Sequence, residues 1–142
     1  MRHDHKVLRA MLRLDYVTPD APPIPVEVEL RYATRDPFAV TAFFHTGSDC
    51  WVEWCFARDL LADGLLAEAG LGDVRIRPDL DNAELVVLVV SSPAGTAAFE
   101  AYAQDLAEFL DHSYDLVPLG AESEWAGVDD ELTGLLAPHD LG

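Results

Sequence analysis

The stretch FHTGSDCWVEWCFARDLLADGL, residues 44–65, packs a histidine, two cysteines, two tryptophans and acidic side chains into a short span. It reads either as a metal or catalytic centre or as a hairpin running into a helix. Along an extended chain, side chains alternate between faces. Val52, Trp54 and Phe56 then share one face with Cys50, while Trp51, Glu53 and Cys55 take the other. His45 to Asp49 form a tight loop in which Gly47 supplies conformational freedom. Phe38–His45 and Cys50–Phe56 are thus predicted to pair as a hairpin. ARDLLADGLLAEAG follows as a helix carrying Leu60, Leu61 and Leu65, stopped by GLGD. The hairpin reading makes the fold sheet-based.

Working outward, Leu8–Tyr16 and Ile24–Tyr32 alternate apolar with polar residues, the mark of half-buried antiparallel strands. The proline-rich TPDAPPIP between them is predicted to be a connection, since proline donates nothing to a ladder. Val74 and Ile76 against Arg75 and Arg77 give a short fifth strand, and Glu84–Ser91 a central one apolar on both faces. Ser92 reads as a helix cap ahead of Pro93, with Ala98, Tyr102, Leu106, Phe109 and Leu110 at helical spacing to about His112. Val128-Asp129 would cap a last short helix bearing Leu132, Leu135 and Leu136. The order β-β-β-β-α-β-β-α-α argues for an α+β fold with antiparallel sheet. No linker divides the chain, so residues 1–142 are expected to form a single domain.

Composition narrows the function. The 142 residues carry a formal charge of −17, and all nine Lys and Arg lie at or before Arg77. Such a surface repels phosphate backbones and anionic lipid. The longest apolar run, Leu85–Val90, is far short of the roughly 20 residues that span a bilayer. MRHDHKVLRAMLRLD is broken by charge and is no secretory signal, so with two cysteines the expected compartment is a reducing cytoplasm.

The chemical candidates are thin. His45, Cys50 and Cys55 are one loose cysteine pair and one histidine, whereas structural zinc wants four ligands with short spacing. An offset of five sends the two thiols to opposite faces, so two buried, inert cysteines are expected. A Cys50–His45 dyad would need an orienting group and oxyanion donors, which nothing marks. His45 is expected to be a strand-end residue bonded to nearby backbone. Ser91-Ser92 lacks a nucleophile elbow, there is no phosphate-binding glycine motif, and Asp129-Asp130-Glu131 reads as helix N-terminal charge. No catalytic residue, metal ligand or cofactor site is predicted. Trp51, opposite the core-facing Trp54, is expected to be covered within the monomer. If exposed, it would serve a partner, as would the solvated pair Arg75 and Arg77.

The run LRYATRDPFAVTAFFHTGSDCWVEWCFARDLLADGL…GDVRIRP, from Leu30 to Pro78, resembles the SsgA-like proteins, the sporulation and cell-division family of actinomycetes. The resemblance continues through SSPAGTAAFEAYAQDLAEFL and VPLGAESEWAGVDDELTGLLA. Trp51 and Cys55 depart from the polar and aliphatic residues expected there, and Arg77 replaces an aromatic. The resemblance implies a non-enzymatic protein that helps place and activate septa during sporulation-specific division. It implies a Whirly-like fold of curved antiparallel sheets packed with helices and assembled as a bell-shaped homotrimer. Its implied partners are division-machinery proteins, a tubulin-like division GTPase or other SsgA-like proteins, met in the cytoplasm at the septum. The candidate partner-binding residues are Trp51, Glu53, Arg75 and Arg77. The rival is a Whirly-like regulator binding single-stranded nucleic acid, which would need Arg9, Arg13, Arg31, Arg75 and Arg77 to form a basic groove against the overall charge. A cell-wall hydrolase would need an export signal and a site that the sequence does not mark.

Overall fold

The computed structural model describes residues 4–126 except 48 and 71. The elements run β1 (Val7–Thr18), β2 (Ala21–Ala33), β3 (Ala39–Gly47), β4 (Cys50–Ala57), α1 (Arg58–Gly64), β5 (Val74–Pro78), β6 (Leu85–Ser92), β7 (Gly95–Tyr102) and α2 (Ala103–Leu116). Residues 122–126 are again helical. The strands form one antiparallel sheet of seven, in the order β4-β3-β2-β1-β7-β6-β5. The fold is α+β, as the patterning predicts. The helix expected at 128 lies outside the described residues.

The sheet is curled. The β1–β7 seam is short, joining only Asp15, Tyr16 and Val17 to Glu100, Phe99 and Ala98. β3 and β7 are three strand steps apart in the sheet, about 14 Å if it were flat. Yet the rings of Phe44 on β3 and Phe99 on β7 lie 4.7 Å apart. The concave face encloses the core: Leu14, Val28, Leu30, Tyr32, Val40, Ala42 and Phe44 from the first strands, Ile76, Val86, Leu88, Phe99 and Ala101 from the last. α2 caps it with Leu106, Phe109, Leu110 and Ser113, spaced i, i+3, i+4, i+7. α1 packs on β5 so closely that a β-carbon on Gly64 would run into Ile76.

Three expectations are corrected. Ser92 to Tyr102 are not helical. Ser92-Pro93-Ala94-Gly95 makes a hairpin turn, in which Ser92 Oγ accepts the Ala94 N–H and Gly95 takes φ +143°. β7 then pairs along the whole of β6, from Leu85↔Tyr102 to Ser92↔Gly95. A strand apolar on both faces needs neighbours on both edges. Phe99 and Ala101 face inward at a period of two, and the helix begins only at Ala103. Secondly, β2 begins at Ala21 and includes Pro22, Pro23 and Pro25. These prolines are tolerated because β3 pairs only with Val28–Arg31, leaving the early part of β2 a local edge. Thirdly, α1 stops at Gly64 instead of running to the GLGD segment. Beyond it the backbone of Ala69 bonds Ile76 in both directions, at 2.8 and 3.0 Å.

Candidate partner-binding surface

The β3–β4 hairpin forms with the predicted faces. Val40, Ala42 and Phe44 oppose Phe56, Trp54 and Val52 on the concave side, while Thr41, Phe43 and His45 oppose Cys55, Glu53 and Trp51 on the convex side. Trp51 is not covered within the chain. It is 47% exposed, because β4 is an edge strand and among the described residues α1 and α2 pack chiefly on other strands of the sheet. Its indole stacks on the imidazole of His45, with centroids 4.5 Å apart and planes 17° from parallel. Beside this pair the Arg31 guanidinium lies 4.3 Å over the Phe43 ring and donates to Glu29 Oε1 at 2.9 Å. Glu29 also meets Arg9 Nε at 3.9 Å. The convex face therefore carries a run of planar groups, Trp51, His45, Phe43 and Arg31, with Glu53 exposed among them.

Arg75 and Arg77 sit on the convex side of β5, opposite Val89 and Val87 in the ladder. β4 and β5 are the two opposite edges of the sheet, so the candidate residues fall into two pairs and not one cluster. Cys50 and Cys55 take opposite faces as expected, but both are exposed and unoxidised, a correction to their predicted burial. The cause is again the edge position, since among the described residues no strand lies beyond β4 to enclose them. Among the described residues no three His, Cys, Asp or Glu side chains converge into a set that could hold a metal. No helix among them is long and apolar enough to cross a membrane.

The most constrained side chain is Arg58, which sequence reasoning missed. It is 1% exposed, with its guanidinium 4.8 Å from the Tyr32 ring and 4.6 Å from that of Tyr114. It donates to Ser113 O and Oγ at 3.3 Å, to Val117 O at 2.9 Å and to Glu122 Oε2 at 2.7 Å. Burial pushes the Glu122 carboxyl up, but hydrogen bonds from Arg58 and the Gly120 N–H outweigh it and hold it below its usual range. Burial raises the Tyr32 hydroxyl to about 12, against the opposing pull of Arg58, while it donates to Pro37 O at 2.9 Å. The array anchors residues 113–122 to the sheet. Nearby, His5 meets Trp125 edge to face at 5.7 Å, tying the start of β1 to the same segment. A signal for Arg58 was available: it follows Phe56 at the next inward position of the β4 alternation.

A curled sheet with a bare aromatic edge, a strongly acidic body and no assembled reacting groups among the described residues defines a class. It is a sheet-built α+β protein whose distinctive chemistry lies on its surface. The chain belongs to the SsgA family, described as the Streptomyces sporulation and cell division protein SsgA, whose pattern matches residues 26–122. The chain is 60% identical to the sporulation-specific cell division protein SsgB of Saccharopolyspora erythraea, over 99% of both chains. It is 46% identical to SsgB of Streptomyces coelicolor, over 89% of this chain and 93% of that one. The crystal structure of an SsgA-like sporulation-specific cell division protein from Thermobifida fusca superposes with a TM-score of 0.87 at 41% identity, covering 95% of this chain and 99% of that one. Neither the family description nor the relatives' names are those of enzymes, and the names support a role in sporulation septation.

Proposed function

We propose that the protein acts without catalysis as a scaffold of sporulation-specific cell division, helping to position or activate septa by recruiting division proteins. The partners it fits are a tubulin-like division GTPase or other SsgA-like proteins, met in the cytoplasm at the septum. Residues 1–142 serve as one SsgA-like domain, with a Whirly-like arrangement and a bell-shaped trimer as the assembly. The observation that carries this reading is Trp51, held half exposed and stacked on His45 on a strand edge. A large ring left in solvent and preset in orientation loses little freedom when a partner covers it, which is why such rings recur at interface centres. Glu53 beside it supplies a polar rim, and Arg75 with Arg77 on the far edge offer a second, separate contact.

Biolayer interferometry against the purified division GTPase tests the proposal. Trp51→Ala should weaken capture roughly tenfold or more, with circular dichroism unchanged, and Arg75→Glu should weaken it less. Equal capture by wild type and Trp51→Ala would remove this surface. Size-exclusion with light scattering tests the trimer.

The nucleic-acid alternative draws on Arg9, Arg13, Arg31, Arg75 and Arg77. The first three are offset by acid, since Arg9 and Arg31 engage Glu29 and Arg13 sits opposite Glu27 in the ladder, while Arg75 and Arg77 lie apart from them on the edge strand β5. Anisotropy with single-stranded oligonucleotides should show no salt-sensitive binding.

A further inference from the structure

The two sheet edges are guarded unequally. An edge strand exposes unpaired N–H and C=O groups, and proteins blunt such edges with charge, proline, short length or a covering segment. β5 has all of these: it is five residues long, carries Arg75 and Arg77, ends in Pro78, and is bridged by the backbone of Ala69. β4 has eight residues, CWVEWCFA, with one charge and no proline, and among the described residues it pairs only with β3. Side chains on both of its faces are exposed, including Trp51 and Cys55 outside and Val52, 42% exposed, inside.

Beneath that bare edge lies an apolar trough. Val52 and Trp54 form its near wall, Phe44 and Phe99 its floor, and Val90 and Ala97 the far wall, enclosing about 300 Å³. It runs into a second hollow of about 520 Å³ that shares Phe44, Thr46 and Phe99. In a chain with a quarter of its residues charged, no Asp, Glu, Lys or Arg among the described residues lines either hollow.

We infer that β4 is a docking rail for an extended segment of a partner protein, which adds as an eighth strand and drops alternate side chains into the trough. This deepens the recruitment reading and rests on it. The chemistry of the occupant follows from the two features together. The open ladder demands an extended backbone, and the alternation of a strand demands apolar residues at every second position. Valine, isoleucine or threonine suit the shallow trough over about five or six residues. The chain's formal charge of −17 favours lysine or arginine in the flanks. A second copy fits less well. Its own Trp54 and Phe56 already pack into its own core, so the β4 of a second copy has no free apolar face to lay in the trough.

The probe is a fluorescein-labelled peptide, Lys-Val-Thr-Val-Thr-Val-Lys, titrated with the full chain and read by fluorescence anisotropy. Saturable binding is expected. Methylating alternate backbone nitrogens of the peptide, or the substitution Val52→Lys, should each weaken it roughly tenfold or more, whereas Leu80→Lys, which adds the same charge in the exposed loop between β5 and β6, should leave it within about twofold. The inference is overturned by equal binding of the N-methylated peptide, by no binding at ~1 mM protein, or by light scattering in which Val52→Lys dissociates an oligomer. The N-methylated peptide decides the matter even if Val52→Lys fails to fold. No division protein enters the assay, so a failure of septal recruitment is read separately, in the GTPase capture experiment.

Discussion

Arg58 shows how one residue ties distant parts of the chain. It begins α1 while reaching Ser113, Val117 and Glu122, so its loss would strand a carboxylate and two carbonyls in a dry site. Arg58→Ala should cost about 3–5 kcal/mol in urea unfolding, and amide exchange should accelerate first across residues 113–122. Glu122 adds an acid limb to the stability profile. Its folded pKa lies below its unfolded value, so its contribution is present above the usual carboxylate value of 4.5 and is lost as pH falls through the folded one. Tyr32 acts in the opposite sense. Raised to about 12 from 10.0, it contributes below pH 10 and loses that contribution as pH rises through its folded value. Thermal unfolding across pH should show Glu122→Gln flattening the acid limb and Tyr32→Phe the alkaline one. Trp51, by contrast, was legible as a candidate although its exposure was not. Alternation names the face a side chain takes, but whether anything covers that face depends on where the strand ends up.

Among the elements, the hairpin of β6 and β7 is the instructive case. Ser-Pro-Ala-Gly is both a plausible helix start and a turn, and the small residues Ala97, Ala98 and Ala101 fit either period. The decision came from β6: flanked only by β5, it would have left a row of buried backbone groups unpaired, at a cost that a strand from β7 removes. The packing of α1 on β5 gives an element-scale test. Gly64 is buried against Ile76 with no room for a methyl group, so Gly64→Ala should destabilise the protein by about 1–3 kcal/mol. The usual gain in helix propensity from such a change would be overwhelmed. A chemical-denaturation midpoint lower than wild type checks it, and an unchanged or raised midpoint would show that the helix shifts freely. Gly95, with φ +143° and open space around it, should resist β-branched substitution for backbone reasons alone.

For the molecule as a whole, charge dominates. All Lys and Arg residues precede Pro78, and with a formal charge of −17 the folded body repels itself. Screening should relieve this: the thermal midpoint is expected to rise between about 10 mM and 500 mM salt, over which the Debye length falls from roughly 30 Å to a few ångströms. A midpoint falling with salt, read by scanning fluorimetry, would mean that the ion pairs around Glu29 and Arg58 outweigh the repulsion.

By itself the sequence determined which strands alternate, which face of each is apolar, the middles of β1 to β6 though not the proline-rich start of β2, the acidic surface, and the family words from Leu30 onward. These are local properties, carried by neighbours along the chain. Tertiary structure alone decided that Ser92–Tyr102 is a turn and strand, that Cys50, Cys55 and Trp51 face solvent, that Arg58 is buried, and that one sheet edge is guarded and the other bare. Each of these depends on which distant segment lies alongside, and pairing and cover are settled by contacts that no short window of sequence contains.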